Sequence, residues 1–194
     1  SSMAASQTIH LRKRRIFRVF THICRVIFAL TFIFSGAVKS MDPWGTALNV
    51  NNYLVAYNLD WFEPFVMIFS IWLCGAELMM GLMLMCRVRT RLISIFALVS
   101  MTFFTVLTFL SATWIPVEDC GCFGDAFILS NWETFWKNIL LLIAAISIFK
   151  WRKCISPLVT TRFDWLIALY SWIYIFAIIT YCMWHLPVFD FQTK

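Results

Sequence analysis

Residues Leu92 to Trp114 read LISIFALVSMTFFTVLTFLSATW, a stretch of 23 residues without a charged side chain. An α-helix needs roughly 20 mostly apolar residues to cross the hydrocarbon core of a bilayer, so this stretch predicts a transmembrane helix. The whole chain agrees, because 61% of its 194 residues are hydrophobic and 13% are charged, against about 45–50% and about 25% in soluble domains. Twenty Phe and ten Trp exceed what a soluble globule of this size can bury. Lipid is therefore the solvent that this sequence requires.

Four further apolar stretches have the same character, and they run over about Val19–Val38, Pro64–Met85, Phe135–Phe149 and Trp165–Leu186. The prediction is an all-α polytopic membrane helix bundle with five transmembrane helices. No cleavable signal peptide is expected, because the first apolar run continues too long and lacks a small-residue cleavage site. A polar ridge suited to hydrogen bonding between helices runs along the third span and consists of Thr102, Thr105, Thr108 and Ser111.

Lysine and arginine are distributed unevenly between the predicted loops. Thirteen of the sixteen lie at the N-terminal end of the first span, Arg25 included, or in the connections between spans two and three and between spans four and five. Basic residues are retained on the cytoplasmic side. The N-terminus is therefore predicted to be cytoplasmic and the C-terminus periplasmic, in a bacterial inner membrane. The net charge of +6 then reflects topology rather than binding to nucleic acid. The outward loop Ser40–Glu63 is interpreted as a helix that lies on the membrane surface.

These assignments divide the chain into four regions. A basic cytoplasmic segment, 1–18, precedes a four-helix membrane core, 19–151, whose outward loop covers 115–133. A cytoplasmic connection and the fifth transmembrane helix occupy 152–186, and residues 187–194 form a periplasmic tail.

The loop between the third and fourth spans carries the most specific motif, and its residues 119–125 read DCGCFGD. Cys120 and Cys122 can approach disulfide geometry because Gly121 between them tolerates positive φ. A disulfide in so small a ring is strained and exchanges readily, and disulfides persist outside the cytoplasm. The motif therefore predicts thiol–disulfide exchange. The residues expected to set the geometry of this loop are Gly121, Phe123, Gly124 and Asp125.

Other interpretations of this loop stay open. Cys120 and Cys122 could form a static disulfide, remain two free thiols that pin a turn, or contribute to a metal site. The neighbouring acidic residues disfavour the thiolate form. At the outer end of the fifth span, Cys182 could resolve a mixed disulfide and His185 could accept a thiol proton near neutral pH. Alternatively, Cys182 is a small apolar filler and His185 an interfacial anchor.

Charged residues inside the predicted spans form a second group of candidates. Glu77 lies near the middle of the second span and Arg25 lies in the first, at depths of about 12 Å and about 9 Å from the cytoplasmic face. A buried charge in lipid needs a partner, so the two are predicted to form an intramembrane ion pair, with a proton or quinone role for Glu77 as the alternative. Gly75 and Gly81 favour close helix packing. Lys39 is expected to snorkel or to face the acidic loop.

The spans also resemble a known family. Arg25 and the segment Ser35–Lys39, SGAVK, resemble the opening of DoxX-like membrane proteins. Glu77–Leu82, ELMMGL, followed by Arg89–Arg91, RTR, resembles their second helix.

The Cys-Gly-Cys loop, followed by Asn138 at the head of span four, resembles the MauE branch of this group, so that the likeness covers about residues 20–150. Members of this group are four-helix, redox-associated membrane proteins. MauE is implicated in forming the disulfide-rich small subunit of methylamine dehydrogenase alongside a thioredoxin-like partner. The fifth span and the tail resemble a Bacteroidota-type five-span subgroup, in which a periplasmic domain follows the last helix.

The resemblance implies that the Cys120–Cys122 pair exchanges equivalents with a periplasmic thioredoxin-like protein, with a quinone as the electron partner in the oxidising direction. A competing prediction is a non-enzymatic scaffold or accessory subunit of a larger envelope complex, in which the pair is a structural disulfide. A third is a small-molecule transporter that couples protons through Glu77.

Overall fold

The computed structural model describes residues 2–115, 117, 129–157 and 162–184. The described residues form six α-helices and no β-strand. The helices are α1 (Ser2–Met41), α2 (Pro43–Ala56), α3 (Val66–Met85), α4 (Thr90–Thr113), α5 (Asn131–Lys150) and α6 (Asp164–Trp184). Two short 3₁₀ helices cover Asp60–Phe65 and Arg152–Cys154.

Five of these helices, α1 and α3 to α6, are long and apolar enough to cross a membrane. They coincide with the five predicted spans, so the prediction of an all-α bundle with five spans is confirmed. The helices are longer than the apolar runs at two places. The first begins at Ser2, well before the predicted start at Val19, and the fourth span begins at Asn131 rather than near Phe135. Polar residues can extend a helix beyond its apolar segment, and hydropathy does not register that extension.

Local capping residues determine where the helices on one end of the bundle begin. The Asp42 carboxylate accepts a hydrogen bond from the Gly45 backbone N–H at 3.0 Å and starts α2. At α5, the Ser130 hydroxyl accepts from the Glu133 N–H at 3.3 Å while the Glu133 carboxylate accepts from the Ser130 N–H at 2.8 Å. This reciprocal capping box is a strong helix start signal. The loop that precedes the fourth span therefore ends at residue 130.

The helices pack as two antiparallel pairs, α1 with α3 and α4 with α5, which then meet through α1–α5 and α3–α4 contacts. Side chains from all four helices fill the centre between the pairs, including Phe28, Leu84, Met101 and Ile148, which are almost completely buried. The fifth span, α6, packs on the outside of this four-helix arrangement, mainly against α3.

Two glycines set the register between α1 and α3. A Cβ atom at Gly36 would lie 2.6 Å from the Leu78 backbone nitrogen, and one at Gly81 would lie 2.8 Å from the Ile33 backbone nitrogen. Only glycine allows backbones to approach this closely. The prediction of close packing is confirmed at Gly81. Gly75 instead faces Ile175 and neighbouring side chains of α6, at an ordinary contact distance of 3.5 Å.

Candidate functional site

A buried ion pair joins α1 and α3. The Lys39 Nζ lies 2.8 Å from Glu77 Oε1 and 3.0 Å from Oε2. The Ser35 hydroxyl donates a further hydrogen bond to Glu77 Oε2 at 2.9 Å. The Lys39 and Glu77 side chains are 7% and 6% exposed. Both oxygens of the intramembrane carboxylate therefore have partners, as a buried charge requires.

The predicted pairing of Glu77 with Arg25 is wrong, because Glu77 is held by Lys39. Gly36 lies level with Leu78, so Arg25 sits about 16 Å further along α1, toward the opposite end of the bundle. Depth counted from the end of each apolar run places Arg25 too far inside the bundle, because α1 continues as a helix far beyond its apolar run. Lys39, expected to snorkel or to face the acidic loop, instead points its ammonium group at a carboxylate inside the bundle.

Arg25 is buried and has backbone partners. Its Nη1 donates to the carbonyl oxygens of Leu84 at 2.8 Å and Met85 at 2.9 Å. These carbonyls belong to the last turn of α3, beyond the regular hydrogen bonds within the helix, and that turn carries the negative end of the helix dipole. The Leu84 carbonyl also accepts from the Arg87 N–H at 3.3 Å. Arg25 thus caps the end of α3.

A small cleft surrounds the ion pair. It has a volume of ≈ 30 Å³, enough for about one or two water molecules. Its lining comes from α1, α3, α4 and α5, and the polar side chains in it are Thr31, Ser35, Lys39, Glu77, Lys137 and Asn138. Two lysines and a single carboxylate thus face one cleft. These ionisable side chains come from α1, α3 and α5.

Asn138 links the cleft to α4. Its Nδ2 donates to the Thr108 hydroxyl at 3.3 Å and to the Phe104 carbonyl at 3.4 Å. Of the predicted polar ridge on α4, Thr108 therefore takes part in a hydrogen bond between helices. Thr105 is also buried but donates within its own helix, to the Met101 carbonyl at 2.6 Å. Thr102 is exposed and does the same toward Leu98.

The cleft lies in the half of the bundle that faces the α4–α5 connection. Asn131, in the first turn of α5, donates through Nδ2 to the carbonyl oxygens of Ser111 at 3.4 Å and Val117 at 3.0 Å. The start of the connection is thereby tied to the start of α5. Lys137 follows the Ser130 cap by seven residues, or about 10 Å along the helix axis.

The sequence-predicted redox residues lie outside the described residues. These are Cys120 and Cys122 with the loop residues Gly121, Phe123, Gly124 and Asp125, and His185. Cys182 belongs to α6, but its side chain is not among those described. Their roles stay predictions. Elsewhere in the described chain, Cys24 and Cys74 are buried free thiols, and Cys86 and Cys154 are exposed ones. No three His, Cys, Asp or Glu residues of the described ranges come close enough to hold a metal ion.

Sequence reasoning missed the Lys39–Glu77 pairing and the presence of Lys137 in the same cleft. The glycines of the two helices could have indicated the correct partner of Glu77. Pairing Gly36 with Gly81 across antiparallel helices would have placed Glu77 opposite the C-terminal end of α1, where Lys39 stands, rather than opposite Arg25. No comparable signal in the sequence relates α5 to α1.

Five helices able to span a membrane and a buried ion pair between two of them define a polytopic α-helical membrane protein. The chain matches the family model described as Methylamine utilisation protein MauE over residues 17–150. This is more than half of the chain, and the protein belongs to the MauE family. Membership associates it with redox or maturation processes at a membrane. The resemblance to MauE and DoxX-like proteins is thus confirmed, whereas the five-span Bacteroidota-type subgroup stays a prediction.

A search of the curated proteins and a search of the solved structures found no match.

Proposed function

We propose that this protein carries out thiol–disulfide exchange at the periplasmic face of the bacterial inner membrane, with its N-terminus in the cytoplasm and a thioredoxin-like protein as its partner. The exchanging group is the Cys120–Cys122 pair. Membership of the MauE family and the Cys-Gly-Cys motif support this proposal. The uneven distribution of basic residues supports the orientation.

The observation that most supports the proposal is that the cleft around the Lys39–Glu77 pair lies in the half of the bundle that faces the α4–α5 connection, in whose sequence both cysteines stand. Lys137 and the Lys39–Glu77 pair occupy the half of the bundle below that connection. A nearby ammonium group stabilises the thiolate form of a cysteine, and we propose Lys137 for this role. It would offset the acidic residues beside Cys120 and Cys122, which disfavour the thiolate.

The exchange proceeds in two balanced steps. A thiolate of the partner attacks one sulfur of the Cys120–Cys122 disulfide, so that a mixed disulfide forms while the intramolecular bond breaks, and the released thiolate takes up a proton. The partner's second thiol, as a thiolate, then attacks the mixed disulfide. The partner leaves oxidised, and two electrons and two protons remain on the Cys120 and Cys122 thiols. The reverse sequence oxidises this protein instead.

A quinone does not fit the cleft. Its ≈ 30 Å³ compares with roughly 300–1,000 Å³ for ordinary ligand pockets, and the side chains around it are held by the Lys39–Glu77 ion pair and by Asn138. Among the described residues, this cleft therefore offers no room for a quinone ring. No step of the proposed exchange passes through one.

The test is thiol trapping of the full-length protein in native membranes. Cysteines are alkylated with a mass-shifting maleimide before and after exposure to a reduced thioredoxin-like dithiol. We expect the Cys120 and Cys122 thiols to become available only after reduction, and we expect a Cys122→Ser or Cys120→Ser variant to accumulate a mixed disulfide with the partner. The matched control is Cys154→Ser, which removes an exposed thiol from the opposite end of the bundle and should leave the trapping unchanged.

A Cys120–Cys122 disulfide that resists the dithiol in folded protein would contradict exchange and support a structural staple in a scaffold protein. Cysteines that stay reduced in oxidising membranes would contradict both the exchange and the staple.

A further inference from the structure

A second and much larger pocket lies at the end of the bundle opposite the charged cleft. It has a volume of ≈ 560 Å³, within the range of ordinary ligand pockets. It opens between the α3–α4 turn, the end of α5 and the start of α6. The described residues that line it are Arg89, Thr90, Arg91, Leu92, Arg152, Lys153, Ile155, Ser156, Pro157 and Asp164.

Hydrogen-bond donors around this pocket lack acceptors. The Thr90 side chain is 7% exposed, and its hydroxyl has no hydrogen-bond partner in the described structure. Nη1 of Arg152 is buried and equally without one. Buried polar groups are normally satisfied, so two orphaned donors lining one pocket indicate that an acceptor belongs there.

The backbone contributes further donors. Thr90 is the first residue of α4, a helix of 24 residues, and the preceding Arg89 adopts a left-handed conformation with φ 46°. No side-chain hydrogen bond caps this helix start. The first backbone N–H groups of a helix point outward and carry the positive end of the dipole, which makes them suited to an anion.

The charged side chains that line the pocket also favour an anionic ligand. Four cationic side chains, Arg89, Arg91, Arg152 and Lys153, face a single carboxylate, that of Asp164. The Asp164 side chain is 4% exposed and its Oδ1 has no donor among the described residues. A ligand that satisfies both kinds of group combines an anionic acceptor with a hydroxyl or ammonium donor.

We propose that this pocket binds the phosphate group of an anionic phospholipid, with the phosphate at Thr90, Arg152 and the start of α4. The Asp164 carboxylate accepts from a hydroxyl of the head group, as in phosphatidylglycerol. A lipid is favoured over soluble phosphate because the pocket lies at the ends of membrane-spanning helices, where head groups reside, and because Leu92 and Ile155 give it an apolar border. Basic pockets between transmembrane helices on the cytoplasmic side suit such head groups. This inference does not depend on the proposed redox function.

The experiment uses the full-length protein, delipidated in a neutral detergent. Short-chain phosphatidylglycerol, short-chain phosphatidylcholine and inorganic phosphate are titrated separately, and binding is followed by native mass spectrometry and by the shift in thermal unfolding temperature. We expect saturable binding and a raised unfolding temperature with phosphatidylglycerol, and neither with phosphatidylcholine. Inorganic phosphate that binds as tightly as phosphatidylglycerol would overturn the lipid assignment.

Two variants localise the site. Thr90→Val preserves the side-chain volume and removes the hydroxyl, and Arg152→Gln removes a charge that also stacks on the Phe149 ring. Each should weaken the affinity for phosphatidylglycerol about tenfold, the loss expected for one hydrogen bond to a charged group. Thr90→Val keeps the test decisive if Arg152→Gln fails to fold.

The matched control is Arg12→Gln, which removes the same charge from an exposed position on α1. A loss of affinity in Arg12→Gln equal to that in Arg152→Gln would indicate general charge attraction and overturn the site, as would unchanged affinity in both pocket variants.

Discussion

Lys39 and Arg25 are both buried cations on α1, 14 residues apart, and they are stabilised in different ways. Lys39 is neutralised by a carboxylate, Glu77, on the neighbouring helix. Arg25 has no carboxylate partner in the described structure and donates to two backbone carbonyls at the end of α3. A helix C-terminus can thus replace an acidic residue as the partner of a buried cation. It follows that an acid and a base within two neighbouring spans need not be partners.

The two ends of the bundle therefore differ in how they stabilise a buried cation. The cleft at Lys39 is lined by four helices, and its charged side chains come from α1, α3 and α5. The hydrogen bonds of Arg25 go to backbone carbonyl groups at the end of α3, so they do not require a particular side chain there. Substitutions around Lys39 should therefore be strongly coupled, and those around Arg25 should not.

The largest expected effect is that of Glu77→Gln. It leaves the Lys39 ammonium buried without a counter-charge, and breaking a buried pair in this way costs about 3–5 kcal/mol. The Lys39→Met, Glu77→Gln double variant should recover much of that loss, because neither member of the pair is left as a lone charge. The free energy of unfolding in mixed micelles, measured by SDS titration, checks both values. Glu63→Gln, at an exposed position before α3, is the control. Equal values for Glu77→Gln and Glu63→Gln would contradict the ion pair.

Arg25→Met should reduce the free energy of unfolding by about 1.5–3 kcal/mol, the value of a hydrogen bond to a charged group. Combined with Glu77→Gln, the two losses should add, since the residues share no partner. The same SDS titration gives the coupling energy. Arg18→Met, which removes an exposed arginine from the same helix, is the control. A coupling energy well above about 0.5 kcal/mol would restore the Arg25–Glu77 pair and remove the contrast between the two cations.

The register between α1 and α3, which brings Lys39 and not Arg25 to Glu77, can be tested at Gly36. The Gly36→Ala variant places a Cβ atom 2.6 Å from a backbone nitrogen of α3, so the helices must move apart, at a cost of about 1–3 kcal/mol in unfolding free energy. Gly75→Ala is the matched control, because its Cβ would meet side chains at 3.5 Å and alanine is the better helix former. If Gly75→Ala is the more destabilising of the two when measured in the same micelles, the register is different from the one described.

Asn138→Leu is expected to have the smallest effect. It removes the hydrogen bonds to Thr108 and Phe104 on the side of the cleft away from α3, and such bonds between membrane helices average about 0.6 kcal/mol each. Thr102→Val, which affects only a bond within α4 at an exposed position, serves as the control. A loss for Asn138→Leu as large as that for Glu77→Gln would show that the hydrogen bonds, and not the ion pair, dominate the stability of the cleft.

Much of the fold could be predicted because a membrane imposes a length on each apolar segment. All five spans were predicted from runs such as Leu92–Trp114, and the helix in the Ser40–Glu63 loop was predicted as well. The partner of Glu77 was predicted wrongly because hydropathy does not determine how far a helix extends beyond its apolar run. The contribution of Lys137 was missed because helices distant in the chain meet there.

The sequence by itself determined that this chain spans a membrane, how many times it does so, and that a Cys-Gly-Cys motif follows the third span. Those properties depend on local composition and spacing, because an apolar segment of about 20 residues is long enough to cross the hydrocarbon core as a helix. Only the tertiary structure decided that Glu77 pairs with Lys39, that Arg25 caps α3, and that the basic residues beside α4 and α5 surround one pocket. The physical reason is that these contacts depend on the sliding and rotation of whole helices. Close contacts such as that of Gly36 with the backbone of α3 set those positions to within a fraction of a helical turn.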